Sequence, residues 1–201
     1  LEFRRVLFRS IPKSAKNPII EVNLEDNQSG KTSYVKDVIT AVSNKYHYAK
    51  INLVGHSMGN LQIANYINEN YNNKKLPQIN KVVSIAGHYD GYLGEEAGQK
   101  AKIKNKETGQ PDIYSDGFKK LLPLRKHYPK QIEVLNIYGN KKDGSNSDGS
   151  VSVASAQSYK YLINGRAKSY REVEIKGKNA QHSKLHENKE VDRLLIDFLW
   201  K

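Results

Sequence analysis

Hydrophobic positions along the chain fall into two kinds of segment. Short apolar runs predict strands at residues 51–54, 82–86 and 132–139, and a further strand that starts with a proline is predicted at residues 17–24. Alternating polar and apolar residues predict a last strand near an edge of the sheet at residues 169–175. Apolar side chains at helical spacing predict amphipathic helices at residues 32–46, 61–71, 151–162 and 191–199. This alternation predicts an α/β fold, in which helices cover both faces of a mostly parallel sheet to give three αβα layers.

Residues 88–130 interrupt the alternation. Glycines and prolines break the pattern, lysines alternate from Lys100 to Lys106, and the segment is longer than an ordinary connection. Two interpretations stay open, a lid over a substrate site and a solvated excursion. A short helix is predicted at residues 116–122. The larger apolar side chains of the segment could line a pocket or simply pack: Tyr89, Tyr92, Leu93, Phe118, Leu121 and Leu122.

Composition limits the class of protein. The 201 residues suffice for one domain with a sizeable core, and the absence of cysteine excludes disulfides and thiolate metal sites. No apolar run approaches the roughly 20 residues of a membrane span. Residues 1–10 are rich in arginine, whereas the remainder prefers lysine, and they are similar to a translated adaptor or cloning scar. We therefore expect a single domain over residues 11–201.

The net charge of +12 makes an anionic partner conceivable. The basic residues are scattered, however, and no nucleic-acid-binding motif accompanies them. We therefore expect no nucleic-acid partner, and at most a weak association with an anionic cell envelope.

The strand at residues 51–54 leads into Gly55-His56-Ser57-Met58-Gly59, which fits G-x-S-x-G and precedes a helix. Strand, sharp turn and helix are the context of a nucleophile elbow, whose crowded turn favours glycine. We predict that Ser57 is a nucleophile and that the Met58 N–H stabilises an oxyanion. His56 is expected to point away from the catalytic face and to be structural. The alternative is an ordinary turn with a solvated serine.

A nucleophilic serine needs a base to take its proton and an acid to orient that base. The loop after residue 139 offers Asp143 and Asp148, although either could be a turn or N-cap aspartate. Beyond the last strand, His182 and His186 are candidate bases. Their spacing would suit a metal pair, but no H-E-x-x-H motif or third ligand accompanies them, so we expect no metal site.

The chain resembles the α/β-hydrolase superfamily over residues 17–201, and more narrowly a bacterial family of uncharacterised hydrolases described as cell-surface or lipase-like. Four blocks in matching order carry the resemblance: residues 17–24, 51–60, 147–151 and 182–188. It implies that Asp148, in an Asp-Gly-x-Val pattern, is the acid. It also implies that His182, nine residues before Val191, is the base. Asp143 and His186 remain the alternatives.

The resemblance further implies a serine hydrolase that cleaves acyl or lipid esters through an acyl-enzyme on Ser57, without a cofactor. The alternatives are a thioesterase or acyltransferase with the same triad, and a non-catalytic binding protein on a hydrolase scaffold. It also implies an extracellular or cell-surface location. Such enzymes begin with strands and a His-Gly-type loop that supplies a second oxyanion donor, and nothing before residue 17 matches that loop. We therefore expect an N-terminally truncated chain that lacks early strands and is poorly active or unstable.

Overall fold

The computed structural model describes residues 18–22, 33–163 and 165–201. Its strands are β1 (Lys50–His56), β2 (Gln78–Ile85), β3 (Ile103–Asn105), β4 (Gln110–Pro111), β5 (Glu133–Asn140) and β6 (Ser169–Lys176). Its helices are α1 (Ser33–Tyr46), α2 (Met58–Asn70), α3 (Glu96–Lys100), α4 (Asp116–Leu121), α5 (Leu124–His127), α6 (Val153–Gln157), α7 (Tyr159–Ile163) and α8 (Lys189–Trp200). Two 3₁₀ turns, Lys178–Ala180 and His182–Glu187, connect β6 to α8.

Four of the strands form one parallel sheet in the order β1-β2-β5-β6. The register pairs His56 with Ile85, Ile85 with Ile137, and Asn140 with Lys176. The prediction of a parallel sheet is therefore confirmed. Because all the strands run in one direction, their carboxyl ends lie at the same edge, and the segments that follow them begin there.

Helices cover both faces of this sheet, as predicted. Successive side chains of a strand point to opposite faces. Val82 and Val134 thus pack in a core with side chains of α2, α4, α5 and α7. Val83 and Leu135 pack in a second core with side chains of α8. In the described ranges, no helix combines the length and apolar character needed to cross a membrane.

Residues 88–130 fold into α3, an antiparallel β3–β4 hairpin, α4 and α5. The predicted short helix is confirmed as α4, which begins where the Ser115 hydroxyl accepts the Phe118 N–H at 3.1 Å. Tyr89, Phe118 and Leu121 are buried in the core beside α2, so these three side chains pack instead of lining an open pocket. Leu122 packs against the same core, whereas Tyr92 is exposed.

The strand predicted at residues 17–24 is wrong where the structure describes it. Residues 18–22 have no regular secondary structure, and Ile19 is 77% exposed. An apolar run forms a strand only where a neighbouring strand accepts its backbone hydrogen bonds and its side chains are covered. The rest of that prediction, like the scar predicted at residues 1–10, lies outside the described residues.

The helix predicted at residues 151–162 is also wrong as one continuous element, because the structure divides it into α6 and α7. Ser158 lies between the two helices, and its hydroxyl donates to the Ser155 carbonyl at 2.7 Å. Serine side chains that bond back to the preceding turn often bend a helix. The spacing of hydrophobic residues does not predict this break in the helix.

Two matched substitutions test the assignment of the core between the sheet and α8. Ile137 in β5 is fully buried, whereas Ile196 in α8 is 53% exposed. Ile137→Ala should lower the free energy of unfolding by about 2–5 kcal/mol, because it leaves a cavity in a packed core. Ile196→Ala should change it by less than about 0.5 kcal/mol. Urea denaturation measures both values, and equal losses would contradict the assignment.

Candidate active site

Ser57 lies in the sharp turn between β1 and α2, at the carboxyl edge of the sheet. Its backbone has φ 52° and ψ −122°, a conformation that residues other than glycine rarely adopt. The Ser57 N–H donates to the Ile85 carbonyl at 3.0 Å, which fastens the turn to the end of β2. A strained serine held in this way matches the geometry expected of a nucleophile elbow.

Crowding explains one of the two elbow glycines. A Cβ on Gly55 would lie 2.6 Å from Oδ1 of Asn60 and 2.9 Å from its backbone nitrogen, so a side chain does not fit. A Cβ on Gly59 would meet nothing within 4 Å among the described residues. The prediction that crowding requires glycine is therefore confirmed for Gly55 and wrong for Gly59.

Asn60 is a site residue that the sequence analysis did not single out. It is buried in the first turn of α2, and its side-chain amide donates to two backbone carbonyls, of Ser57 at 3.1 Å and of Ile85 at 2.8 Å. It thereby ties the elbow to β2 a second time. A polar residue directly after the G-x-S-x-G motif, at helical spacing from Ile63 and Ile67, was the signal that could have identified it.

The structure brings Ser57, His182 and Asp148 together. His182 Nε2 lies 2.9 Å from the Ser57 hydroxyl, and His182 Nδ1 lies 2.8 Å from Asp148 Oδ2. Because an ionised carboxylate only accepts hydrogen bonds, Nδ1 carries the proton and donates it. Nε2 then has a free lone pair, which accepts the serine hydroxyl. The arrangement can therefore draw the proton from Ser57.

Asp148 is held rigidly in its loop. Its Oδ1 accepts the backbone N–H groups of Ser150 at 2.8 Å and Val151 at 2.7 Å, and its own carbonyl accepts the His182 N–H at 2.9 Å. The Asp148 side chain is 2% exposed. A Cβ on Gly139 would collide with the Ala180 carbonyl and approach Asp148, so glycine at the end of β5 allows the loops with the acid and the base to meet.

The two alternative residues lie outside this hydrogen-bonded set. The Asp143 carboxylate pairs with the Lys141 ammonium at 2.8 Å and accepts two hydrogen bonds from Ser145. The Lys141 and Ser145 contacts hold the Asp143 pKa well below its usual range. His186 is exposed, and its ring meets the ring of His56 edge-on, with 5.0 Å between the centroids. Neither residue is hydrogen-bonded to Ser57 or to His182 in the described part of the chain.

Two further histidines lie close to His182. His56 Nε2 is 3.1 Å from the His182 carbonyl, so its ring contacts the backbone of the candidate base, contrary to the expectation that it points away. His88, beyond the end of β2, is buried and meets Tyr92 edge-on. Burial, together with a smaller effect of the nearby charge of His182, lowers the pKa of His88 to about 4. In the described residues, no three His, Asp or Glu side chains are grouped to hold a metal ion.

Met58 is the first residue of α2. The N–H groups in the first turn of a helix have no acceptor within the helix and favour negative charge beside them. The role of the Met58 N–H in stabilising an oxyanion remains a prediction.

Asp90 is a buried carboxyl group in the segment that follows β2. Its Oδ1 accepts the Ser115 N–H at 2.7 Å, while Oδ2 has no hydrogen-bond partner among the described residues. Burial raises the pKa of Asp90 to about 6. The Asp90 carboxyl group therefore connects the start of α4 to the segment that follows β2. When it is ionised, its burial lowers the stability of the fold.

Comparisons with known proteins agree with this architecture. A family model described as "Alpha/beta hydrolase of unknown function (DUF915)" matches residues 6–201. The Listeria innocua lin2722 gene product superposes with a TM-score of 0.76 at 22% identity, over 85% of this chain and 65% of its own. A candidate cell surface hydrolase of Lactobacillus plantarum gives 0.65 at 22% identity, over 90% of this chain and 65% of its own. This chain thus spans 65% of the length of each. No curated protein matches it.

Asp90 makes stability depend on pH in a defined direction. Its pKa rises from 3.8 in the unfolded chain to about 6 in the fold, so the folded state binds the proton more tightly. Stability is then highest below pH 3.8 and falls as the pH rises through 6. Asp90→Asn removes this loss, and its free energy of unfolding relative to wild type should increase by about 2.5 kcal/mol between pH 4 and pH 8. Denaturant titrations across this range measure the difference, and a constant offset would contradict the assignment.

Proposed function

The chain belongs to the alpha/beta hydrolase family of unknown function DUF915, and we propose that it is a serine hydrolase that cleaves carboxylic esters through an acyl-enzyme on Ser57. The observation that supports this most strongly is the pair of hydrogen bonds made by His182. One joins its Nε2 to the Ser57 hydroxyl at 2.9 Å, and the other joins its Nδ1 to Asp148 at 2.8 Å. A nucleophile, a base and an acid that orients the base, hydrogen-bonded in this order, can activate a serine for attack on an ester.

In the first half of the proposed reaction, His182 Nε2 takes the Ser57 proton as Oγ attacks the ester carbonyl carbon. The carbonyl oxygen becomes an oxyanion, which the Met58 N–H stabilises at the start of α2. The oxyanion then collapses, the bond to the alcohol oxygen breaks, and His182 returns the proton to the departing alcohol. Asp148 keeps Nδ1 protonated and stabilises the imidazolium during this step.

The second half releases the acid. His182 takes a proton from water, the hydroxide attacks the acyl-enzyme carbonyl, and Ser57 leaves with the proton returned by His182. Every proton in this scheme is carried by His182, so the scheme draws on no cofactor. The substrate class we propose is an acyl or lipid ester. Because the similar Lactobacillus plantarum protein is a candidate cell surface hydrolase, we also propose that the reaction takes place at the cell surface.

Loss of the nucleophile is the first test. Ser57→Ala should lower the hydrolysis of short- and medium-chain p-nitrophenyl esters by at least about 10⁴-fold, because it removes the oxygen that forms the acyl-enzyme. The matched control is Ser169→Ala, an exposed serine at the start of β6 and therefore at the opposite edge of the sheet. It should leave the rate unchanged. Hydrolysis by the folded chain that survives Ser57→Ala would contradict the proposal.

A second matched pair tests which aspartate is the acid. Asp148→Asn replaces the acceptor of the His182 Nδ1–H and should lower kcat by about 10²–10⁴-fold. Asp143→Asn removes a carboxylate whose hydrogen bonds and ion pair, among the described residues, go to Lys141 and Ser145, and it should leave kcat unchanged. Steady-state kinetics with one p-nitrophenyl ester compare the two variants. The reverse ranking would assign the acid to Asp143.

A further inference from the structure

His56 and Ser57 are consecutive residues, and both contact His182. The Ser57 hydroxyl meets the ring of His182 at Nε2, and the His56 ring meets the backbone carbonyl of His182 at 3.1 Å. The end of β1 therefore holds both the side chain and the main chain of the candidate base. Only the first of these contacts belongs to the reaction proposed above.

The His182 peptide is fastened on both sides. Its N–H donates to the Asp148 carbonyl at 2.9 Å, and its carbonyl accepts from His56. The two contacts hold the start of the His182–Glu187 3₁₀ turn, which Gln181 separates from the Lys178–Ala180 turn. The contact from His56 thus fixes the carbonyl side of this peptide, as the contact with Asp148 fixes its N–H side.

The chemistry of the contact determines the form of His56. A carbonyl oxygen only accepts, so Nε2 of His56 must carry the proton that it donates. Burial lowers the pKa of His56, and the charges of His182 and His186 lower it further, against the effects of the His182 carbonyl and Asp148. A neutral ring is important because the centroids of His56 and His182 are 5.0 Å apart. A charged His56 would repel the imidazolium that forms on His182 during catalysis.

His186 fits the same arrangement from the other side. It lies one turn further along the chain, and its ring meets the His56 ring edge-on at 5.0 Å. The His56 ring thus contacts the backbone of one histidine and packs against the ring of another. This contact limits the orientations that the His56 ring can adopt. It also gives His186 a packing role, in place of the role of catalytic base that the sequence analysis considered.

We propose that His56 is a positioning residue for the reaction of Ser57: its Nε2–H holds the His182 carbonyl and so keeps the His182 imidazole between Ser57 and Asp148. The inference rests on the proposed serine hydrolase function. Displacement of a reacting group by about 1 Å can lower the rate by about 10²-fold. A single hydrogen bond that sets the position of the base therefore has an effect on turnover that its modest contribution to stability does not reveal.

The test compares side chains at residue 56 that differ in whether, and at which position, they carry a hydrogen-bond donor. His56→Phe keeps a ring without a donor, His56→Gln keeps an N–H near the position of Nε2, and His56→Asn places its amide nearer the position of Nδ1. His127→Phe is the matched control, because the His127 ring contacts Asn68 and Tyr71, away from the triad. The readouts are kcat and KM for p-nitrophenyl butyrate, and the rate at which a fluorophosphonate labels Ser57.

We expect His56→Phe and His56→Asn to lower kcat and the labelling rate by about 10–100-fold, with KM within about twofold of wild type. His56→Gln should recover most of the rate, and His127→Phe should match wild type. If the phenyl ring prevents folding, His56→Leu replaces that variant. Wild-type rates in the Phe variant, or equal losses in the Gln and Phe variants, would overturn the inference.

A readout that needs no turnover separates this inference from the proposed function. In the ¹H NMR spectrum, the low-field resonance of the His182 Nδ1–H can be identified because it is absent in Asp148→Asn. We expect this resonance to shift or disappear in His56→Phe and to persist in His56→Gln. If this pattern appears but wild-type Ser57 does not react with the fluorophosphonate, the positioning role stands and the hydrolase proposal fails. If the resonance is unchanged in His56→Phe, the positioning role fails whether or not Ser57 reacts.

Discussion

The parallel alignment of four strands is the constraint on which the candidate site depends. Because β1, β2, β5 and β6 end at one edge of the sheet, the segments that follow them meet there. Ser57 and His182 are 125 positions apart in the chain, yet their side chains lie within hydrogen-bond distance. The apolar cores on the two faces keep the strands in register. The chemistry at the edge is thus a consequence of packing far below it.

The strain at the elbow is balanced locally. A residue other than glycine in an unfavourable backbone region costs about 1–3 kcal/mol. Three hydrogen bonds oppose this cost at Ser57, one from its own N–H and two from the side chain of Asn60. At about 0.5–1.5 kcal/mol each, they are of the same size as the strain. The side chain of Asn60 therefore helps to explain the positive φ of Ser57, which the two glycines of the motif do not explain alone.

Much of this architecture could be predicted from the sequence, because strands and helices leave periodic hydrophobic patterns and the elbow motif is local. Predictions that depended on distant contacts were less successful. Ile19 lies in a run typical of a strand, but nothing in the described structure pairs with it. Phe118 could have lined a pocket, and its burial beside α2 was decided by tertiary packing. Ser158 divides a helix through a side-chain hydrogen bond that hydrophobic spacing does not register.

In the candidate site, too, the sequence did not predict features that depend on distant contacts. Asp143 and Asp148 both precede a glycine in one polar loop, so composition cannot separate them. They differ in what the folded loop offers each carboxylate. Asp148 receives two backbone N–H groups and faces His182, whereas Asp143 faces solvent and Lys141. The contact of His56 with the His182 carbonyl likewise joins residues 126 positions apart, and no local sequence pattern predicts it.

The most direct test of the central claim is to trap the acyl-enzyme. The chain is mixed briefly with p-nitrophenyl acetate and quenched in acid, and the modified peptide is identified by mass spectrometry. We expect one acetyl group on the peptide that contains Ser57, formed more slowly when Asp148 is replaced by asparagine. Acetyl groups spread over the lysines, with none on Ser57 of the folded protein, would contradict it.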